Sequence, residues 1–451
     1  MMEFLLVIYN CILAFIVYRF EKSALSSSFP GPVTIFLSIL VFLYIQKSVG
    51  VFSFSNTDFT RVDILYAVYN TVFSVAALAI YGFLGPVRRL PQFVLPERYF
   101  TKFVVILCLF GFVGYVLNFY RVYQFGLVNA LTFSGGFHTW SQQQSITGGP
   151  LVRLVRTMFV SPQIIGFCLG IVMFRYSSSA VKKFLSIYFA LFFLQLLVYG
   201  GRGAFVTGIF TLIWSLLFLK RLSLKQIKLK YVFLLFIVLF VITLKRTSHR
   251  GDYAYETYFT RYGIERTVLP EAFLKSSVGL FFVEIFSYSV PSYGNYSAIA
   301  NNLDDFKQSL GTRSFRLLNP LTSQISPKIA RIQKTNHHHN MSIINQFFID
   351  AGDQWTTLYG YLLLDFGVFG CGIYVMFNGM VLAFLSSKAA RLTFWSSLAT
   401  LVICYSWSFS SFVMPFTAMY GGLLRLFIFL IVVLLAVGRS RRYTEGEYNQ
   451  G

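Results

Sequence analysis

The sequence predicts an all-α membrane protein, a polytopic transmembrane helical bundle with one long external loop. Of its 451 residues, 56% are hydrophobic and 12% are charged, whereas soluble domains are about one quarter charged. The apolar residues form blocks of roughly 20, the length of a helix that crosses a bilayer core of about 30 Å. Lysine and arginine concentrate in alternate short loops between these blocks, which is typical of polytopic membrane proteins.

Apolar blocks of spanning length predict about eleven transmembrane helices, because a helix satisfies its own backbone hydrogen bonds in hydrocarbon. The predicted spans are 2–19, 31–49, 62–84, 103–120, 151–174, 184–199, 204–219, 231–245, 357–386, 393–409 and 422–438. The first block lacks a basic start and a small-residue cleavage site, so we interpret it as a retained span. The resulting segments are N-terminal membrane helices (1–245), an external loop (246–356) and C-terminal helices with a basic tail (357–451).

The charge of the short loops predicts their side of the membrane. Together 19 Lys and Arg face four acidic residues in 19–30, 85–102, 175–183, 220–230, 387–392 and the tail from Arg439. The positive-inside rule makes these loops cytoplasmic and places the N-terminus and the long loop outside. The stretch 277–300 is apolar but holds Glu284, Pro291 and five serines. We interpret it as an interfacial or re-entrant helix; as a true span, it would put the basic tail outside.

Several function classes are disfavoured by the sequence. The net charge of +21 is scattered through the loops, so we do not expect nucleic acid as a partner. All five cysteines lie in apolar blocks and none in the long loop, so we expect no disulfide framework. The sequence has no Walker A loop and no Asp-x-Asp motif, so ATP-driven transport and nucleotide-sugar chemistry are not expected. No internal repeat is evident, which weakens a transporter interpretation.

Arginine supplies most of the candidate chemistry on the external side. A guanidinium fork matches phosphate oxygens in two-point contacts, so arginines at the outer ends of spans suit an anionic lipid headgroup. Ordinary solvation and snorkelling are the alternative. The external arginines are Arg61, Arg121, Arg153, Arg156, Arg202, Arg246, Arg250, Arg261, Arg266, Arg313, Arg316, Arg331 and Arg425.

Two arginine motifs stand out. Gly200-Gly201-Arg202-Gly203 is a tight turn between two predicted spans, and its glycines let the backbone approach a ligand closely. The alternative is a turn whose arginine snorkels to headgroups. The basic cluster 245–252 (KRTSHRGD) has bases, hydroxyls and a histidine that suit a diphosphate. The tyrosines that follow fit either sugar stacking or an interfacial aromatic belt; they are Tyr253, Tyr255, Tyr258 and Tyr262.

The run His337-His338-His339 is compositionally typical of metal-binding tracts. Adjacent histidines do not converge easily on one tetrahedral ion, and no HExxH or paired CxxC motif accompanies them, so we expect no metal cofactor. A single histidine acting as general base, or a plain polar loop, explains the run better. The candidates for such a base are His339, Asp365 and Glu284. Trp140 and the glutamines at 142–144 are candidates for holding sugars.

Four features, taken in order, resemble the O-antigen polymerase (Wzy) family, also called oligosaccharide repeat unit polymerases. They are the turn at Gly200–Ala204, the basic opening of the long loop at Lys245–Arg250, the stretch Tyr288-Ser289-Val290-Pro291, and the entry from Thr356 through Tyr361 into Asp365-Phe366-Gly367 and Gly370. His337–Asn340 is instead similar to the His-rich stretch of the related O-antigen ligases.

The resemblance implies a GT-C-like fold and a metal-independent glycosyltransferase of the bacterial plasma membrane, active at its periplasmic or extracellular face. Such an enzyme transfers an undecaprenyl-diphosphate-linked glycan onto a lipid-linked repeat unit without a cofactor, and a chain-length regulator protein is an expected partner. The expected catalytic residues are Arg202, His339 and Asp365. The expected substrate-binding residues are Arg121, Arg153, Arg156, Arg246, Arg250, Arg266, Tyr288 and Arg425.

Three alternative functions share features with this interpretation. An O-antigen ligase uses the same donor and the same chemistry on another acceptor. A flippase or transporter of the lipid-linked sugar requires charges deep within spans, and the predicted span interiors hold almost none. A membrane-bound O-acyltransferase is suggested only by the histidine and asparagine residues.

Overall fold

A bundle of apolar helices makes up most of the part of the chain that the structure describes. This computed structural model describes 2–48, 52–54, 59–96, 98–125, 162–199, 202–222, 264–267, 290–311, 324–347 and 358–410, with isolated residues between 270 and 322. The helices are α1 (Met2–Leu25), α2 (Pro32–Ser48), α3 (Thr60–Leu84), α4 (Arg98–Phe125), α5 (Pro162–Phe174), α6 (Ser179–Tyr199), α7 (Arg202–Phe218), α8 (Val290–Asn301), α9 (Pro327–Phe347), α10 (Leu358–Ala389) and α11 (Phe394–Ser410).

Four of these helices are long and apolar enough to cross a membrane, over Phe4–Leu25, Thr60–Leu84, Phe100–Leu117 and Leu358–Ala389. Shorter apolar helices occupy Pro32–Ile45, Gln163–Phe174, Gly208–Phe218 and Phe394–Phe409. The expectation of a helical, membrane-embedded protein is therefore confirmed. The predicted spans 231–245 and 422–438 lie outside the described residues.

One short ribbon interrupts the helical architecture. Strand β1 (Phe52–Phe54) follows α2 and pairs antiparallel with β2 (Ile264–Thr267), with Ser53 opposite Arg266. The all-α expectation did not include this ribbon. Because β2 belongs to the predicted external loop, the pairing ties that loop to the end of α2.

The short loops with high positive charge meet at one end of the bundle, which we call the basic end. Val87 N donates to Ala24 O at 2.7 Å, and Ser27 Oγ donates to Phe218 O at 3.3 Å. These bonds join the α1–α2 turn to the segment after α3 and to the end of α7.

Arginine side chains also connect the segments of the basic end. Arg391 donates through Nη2 to the carbonyls of Leu84 and Gly85, at 2.6 and 2.8 Å, where α3 ends. The Arg221 guanidinium lies 3.8 Å from the centre of the Phe93 ring. Cations beside the last carbonyls of a helix stabilise its negative end, so part of this positive charge has a structural role.

Glutamate 21 is a buried acid inside α1. The sequence placed it in a short loop, but α1 continues to Leu25 and carries it into the bundle, where the side chain is 1% exposed. Its carboxyl oxygens accept hydrogen bonds from the backbone amides of Val33 and Thr34, at 3.2 and 3.1 Å, and from the Tyr81 hydroxyl. Glu21 therefore caps the first turn of α2, where amides have no partner within the helix.

Helices α3 and α10 run parallel and form the centre of the bundle. In the first half of α3, Tyr69 Oη donates to Val368 O at 3.1 Å; near its end, Tyr81 Oη lies 2.8 Å from Ser386 Oγ. Between these contacts, a Cβ atom at Gly379 would overlap the backbone oxygen of Phe73. The absence of a side chain at Gly379 thus lets the two backbones approach, as small residues do between membrane helices.

We predict that Gly379→Ala separates α3 from α10 and lowers the midpoint of thermal unfolding in detergent. Overpacking of this kind costs about 1–3 kcal/mol, since backbone cannot move aside as a flexible side chain can. The matched control is Gly372→Ala in the same helix, where the nearest atom, Tyr69 Cε1, lies 3.9 Å from the added carbon. Equal midpoints for the two variants would contradict the close-approach interpretation.

Candidate functional site

A break in α10 marks the end of the bundle opposite the basic end. Gly367 adopts φ 66° and ψ −171° inside this otherwise helical segment, a backbone region that is essentially restricted to glycine. The part after the break, 368–389, is about 33 Å long, enough to cross a bilayer core. The part before the break, 358–366, leads into it at the opposite end.

The segment 302–311, which we call the strap, supplies the hydrogen bonds that the break removes. In a continuous helix, the carbonyls of Leu364 and Asp365 would accept from amides four residues later. Here the amides of Ser309 and Leu310 donate to them instead, at 2.9 and 3.0 Å. The strap therefore caps the short helical piece before the break.

Asparagine 340 on α9 holds the strap from its other side. It is fully buried, and its amide behaves like a strand backbone. Its Oδ1 accepts from Lys307 N at 2.9 Å, while Nδ2 donates to Lys307 O at 2.6 Å and to Ser309 Oγ at 2.9 Å. Every polar atom of this amide is thus used to fix the strap on α9.

Two further α9 side chains extend the same seam. Gln333 donates through Nε2 to Leu310 O at 2.9 Å, and Asn336 donates through Nδ2 to Gln308 O at 2.7 Å. The order of these contacts shows that α9 and the strap run antiparallel. The strap is therefore held between α9 and the broken part of α10.

His339 contacts the strap at its first turn. Its Nε2 lies 3.1 Å from the backbone oxygen of Asp305, within the 3-10 helix Leu303–Asp305. Because a carbonyl only accepts, this bond places the proton on Nε2 and leaves Nδ1 as the basic nitrogen. The side chain is half-buried, so the ring is positioned and still accessible.

The three histidines stand on consecutive positions of a helix, about 100° apart around its axis. His338 is exposed, whereas His337 and His339 are half-buried. Within the described ranges, no group of three or more His, Cys, Asp and Glu side chains is placed to hold a metal ion.

Asp365 lies on the other side of the strap from His339. Its side chain is fully buried, two residues before the break, and its backbone oxygen accepts from Leu310 N. His339 and Asp365 are the predicted catalytic residues whose side chains the structure describes. Both residues therefore contact the same ten-residue strap. Asp365 is enclosed there, whereas His339 is partly open.

A buried polar network holds the piece of α10 that precedes the break. Tyr359 Oη donates to Asn70 Oδ1, and Asn70 Nδ2 donates to Asn10 Oδ1 at 2.8 Å. The Tyr359 ring also packs edge-on against Tyr66, with centroids 5.2 Å apart. These contacts join α1, α3 and the first turn of α10, so the piece before the break is held in place on both of its sides.

Helix α8 closes the cluster next to Tyr359. Its described part covers Val290–Asn301. Tyr296 is buried on it, with its ring centre 6.2 Å from that of Tyr359. This helix is the described part of the stretch 277–300, and it packs against α2, α3 and α10.

The arginine candidates that the structure describes lie at the same end as the break. Arg202 begins α7, whose other terminus contacts the basic end through Phe218. Arg121 lies in the last turns of α4, whose beginning packs at the basic end through Phe100 and Trp395. Arg266 lies on β2.

The remaining site candidates lie outside the described residues. They are Arg153, Arg156, Arg246, Arg250, Tyr288 and Arg425, together with Glu284, Trp140 and 142–144. Sequence reasoning selected His339, Asp365 and the Asp-Phe-Gly motif, but it gave Asn340 no structural role and did not select Gln333 or Asn336. Their spacing of three and four residues was a signal for one helix face, although it did not identify the partner.

Comparison of the chain with protein-family models, with curated proteins and with solved structures yields no match. The geometry of the site is therefore the basis for the functional argument below.

We predict that Gly367→Ala destabilises the site by about 1–3 kcal/mol, because alanine does not tolerate this backbone conformation. An added Cβ would also lie 2.8 Å from Gln308 Nε2. The double variant Gly367→Ala/Gln308→Ala removes that second contact and serves as the control. The midpoint of thermal unfolding in detergent should be lowered in both variants. Full recovery of this midpoint in the double variant would show that the contact with Gln308 is the constraint.

Proposed function

We propose that this protein is a polysaccharide polymerase that transfers a glycan from a lipid diphosphate onto a lipid-linked oligosaccharide repeat unit at the outer face of a bacterial plasma membrane. The observation that supports this best is the position of His339. It lies half-exposed beside a broken membrane helix, at the end of the bundle where Arg202 begins α7 and away from the basic end.

The first requirement of the reaction is a base for the attacking sugar hydroxyl. The Asp305 carbonyl holds the His339 Nε2–H at 3.1 Å, which leaves Nδ1 to take the proton. A positioned general base typically contributes about 10²–10⁴-fold to the rate. The strap provides this orientation, because it carries Asp305 and is itself fixed by Asn340.

The second requirement is stabilisation of the leaving group. When the hydroxyl oxygen bonds to the anomeric carbon of the donor, the bond from that carbon to the lipid diphosphate breaks and the electron pair remains on the phosphate oxygen. Arginine near that oxygen lowers the barrier, and removal of one such preorganised donor typically costs about 3–4 kcal/mol. Arg202, Arg121 and Arg266 lie at the correct end for this role, and Arg246 and Arg250 belong to the same proposal.

Asp365 takes a positioning role in this proposal. Its carboxyl group is enclosed beside the break, whereas a base that meets a sugar must be open to the substrate. Its backbone oxygen bonds to Leu310 N, so the residue helps to seat the strap that orients His339.

The broken helix also favours a second candidate, a flippase or transporter of the same lipid-linked sugar. Discontinuous membrane helices commonly build transport sites near the bilayer midplane. In this chain the break lies towards one end of α10, with the longer part on the basic side. An O-antigen ligase remains a third candidate, since it shares the donor and the chemistry.

Substitution of Arg202 tests the leaving-group role. In proteoliposomes supplied with undecaprenyl-diphosphate-linked repeat units, Arg202→Ala should reduce polymer formation at least about 100-fold, consistent with the loss of one charge-stabilising donor. The control is Arg88→Ala, an exposed arginine at the basic end that should leave the product ladder unchanged. A normal ladder from Arg202→Ala, at equal protein level, would remove Arg202 from the mechanism.

Substitution of His339 tests the base. His339→Ala should lower the rate of polymer formation about 10²–10⁴-fold, while His338→Ala, at the exposed neighbouring position, should retain activity. Translocation of a fluorescent lipid-linked sugar across the same vesicles separates the candidates. Translocation without any lengthening of the glycan would favour the flippase, and transfer to a different lipid acceptor without polymer would favour the ligase.

A further inference from the structure

Helix α9 has two parts with different surroundings. Its middle part, 333–340, packs on the strap through Gln333, Asn336 and Asn340. Its first six residues, 327–332, precede the contact of Gln333 with Leu310. Ile329, four residues before Gln333, lies on the same face of the helix as these contacts.

The N-terminal part of α9 and the residues before it expose large apolar side chains. Ile325, just before the helix, is 74% exposed, and Ile329 and Ile332 are 42% and 40% exposed. Leu310, at the adjoining end of the strap, is 42% exposed. We call these four residues the apolar patch. Such a patch on the surface of a bundle marks a contact with a partner or a membrane.

Exposed bases occupy the polar side of the same part of α9, with Lys334 nearly opposite the isoleucines around the helix axis. Lys328, Arg331 and Lys334 are all exposed, and α9 contains no acidic residue. Each of Lys328 and Arg331 lies one position, or about 100° around the helix, from an isoleucine of the patch. An apolar face bordered by lysine and arginine is typical of helices that lie in the headgroup region of a bilayer.

The outward-facing apolar surface of α10 begins next to this helix. Asn336 bonds to Gln308, whose side chain lies against Gly367. Immediately after the break, Phe369 is 90% exposed, and Ile373 follows at 62%. In a helix long and apolar enough to span a membrane, these side chains meet lipid. The seam that holds α9 therefore lies where the lipid-facing surface of α10 starts.

We propose that the N-terminal part of α9, before Gln333, docks into the headgroup region of the bilayer, with the apolar patch towards the acyl chains and Lys328 and Arg331 on anionic lipid phosphates. The positive charge favours lipid over a second copy of the chain. Two-fold pairing through this face would bring Lys328 and Arg331 of one copy close to the same bases of the other. This inference does not depend on the glycosyl-transfer proposal.

Fluorescence depth measurements on the full-length protein test the docking. In a Cys11→Ser background, since Cys11 is exposed and the other cysteines are buried, single labels are attached at Ile329→Cys or Ile332→Cys. The control is His338→Cys, which is also exposed and lies on the side of the helix opposite Ile329, about 180° around its axis. The vesicles contain phosphatidylcholine with and without phosphatidylglycerol, and the quenchers are nitroxide-labelled lipid and aqueous iodide.

The docking predicts that labels at Ile329 and Ile332 are quenched several-fold more by nitroxide lipid than the label at His338, and less by iodide. Phosphatidylglycerol should increase this difference, and the double variant Lys328→Gln/Arg331→Gln should abolish that increase. Equal iodide quenching at all three positions would overturn the proposal. So would protection without lipid quenching, particularly if it rises with the number of protein copies per vesicle, which would assign the patch to a second copy.

Discussion

Helix ends inside an apolar bundle leave backbone groups that water cannot reach, and the structure depends on how this chain satisfies them. An unpaired buried backbone group costs free energy comparable to a lost hydrogen bond. At the start of α2, the Glu21 carboxylate takes two amide hydrogen bonds. At the break in α10, backbone amides of the strap donate hydrogen bonds to the carbonyls of Leu364 and Asp365. These two caps belong to opposite ends of the molecule and meet the same requirement.

The cap at the α10 break also determines the arrangement of the candidate site. Because the strap must align its amides with the broken helix, its other edge has a defined position, and Asn340 of α9 binds that edge. His339 is the adjacent residue and receives its orientation from Asp305 on the same strap. The geometry of the proposed base is thus a consequence of backbone satisfaction one helix away. A substitution at the break should therefore change the orientation of the His339 ring, although His339 itself is not substituted.

The two ends of the bundle use positive charge differently. At the basic end, Arg391 caps the carbonyls that end α3, and Arg221 stacks on Phe93, so these arginines have partners within the fold. At the other end, Arg202 begins α7 and Arg121 lies in the last turns of α4. The bases of α9 stand beside exposed isoleucines. The exposed bases and isoleucines of α9 support the proposal of lipid contact at the end with the break.

Local composition determined what the sequence alone could predict: apolar, helical segments with basic loops between them. Those properties belong to single residues and their near neighbours, so the described helices α1–α7, α10 and α11 lie within or close to predicted apolar blocks. The break at Gly367 was not evident, because 358–389 is apolar throughout and its partner, the strap, lies more than fifty residues earlier in the chain. Nor was the role of Glu21, which became a cap only when α1 and α2 packed together. Hydrogen-bond partners distant in sequence are decided by tertiary packing, and the candidate site is built from such partners.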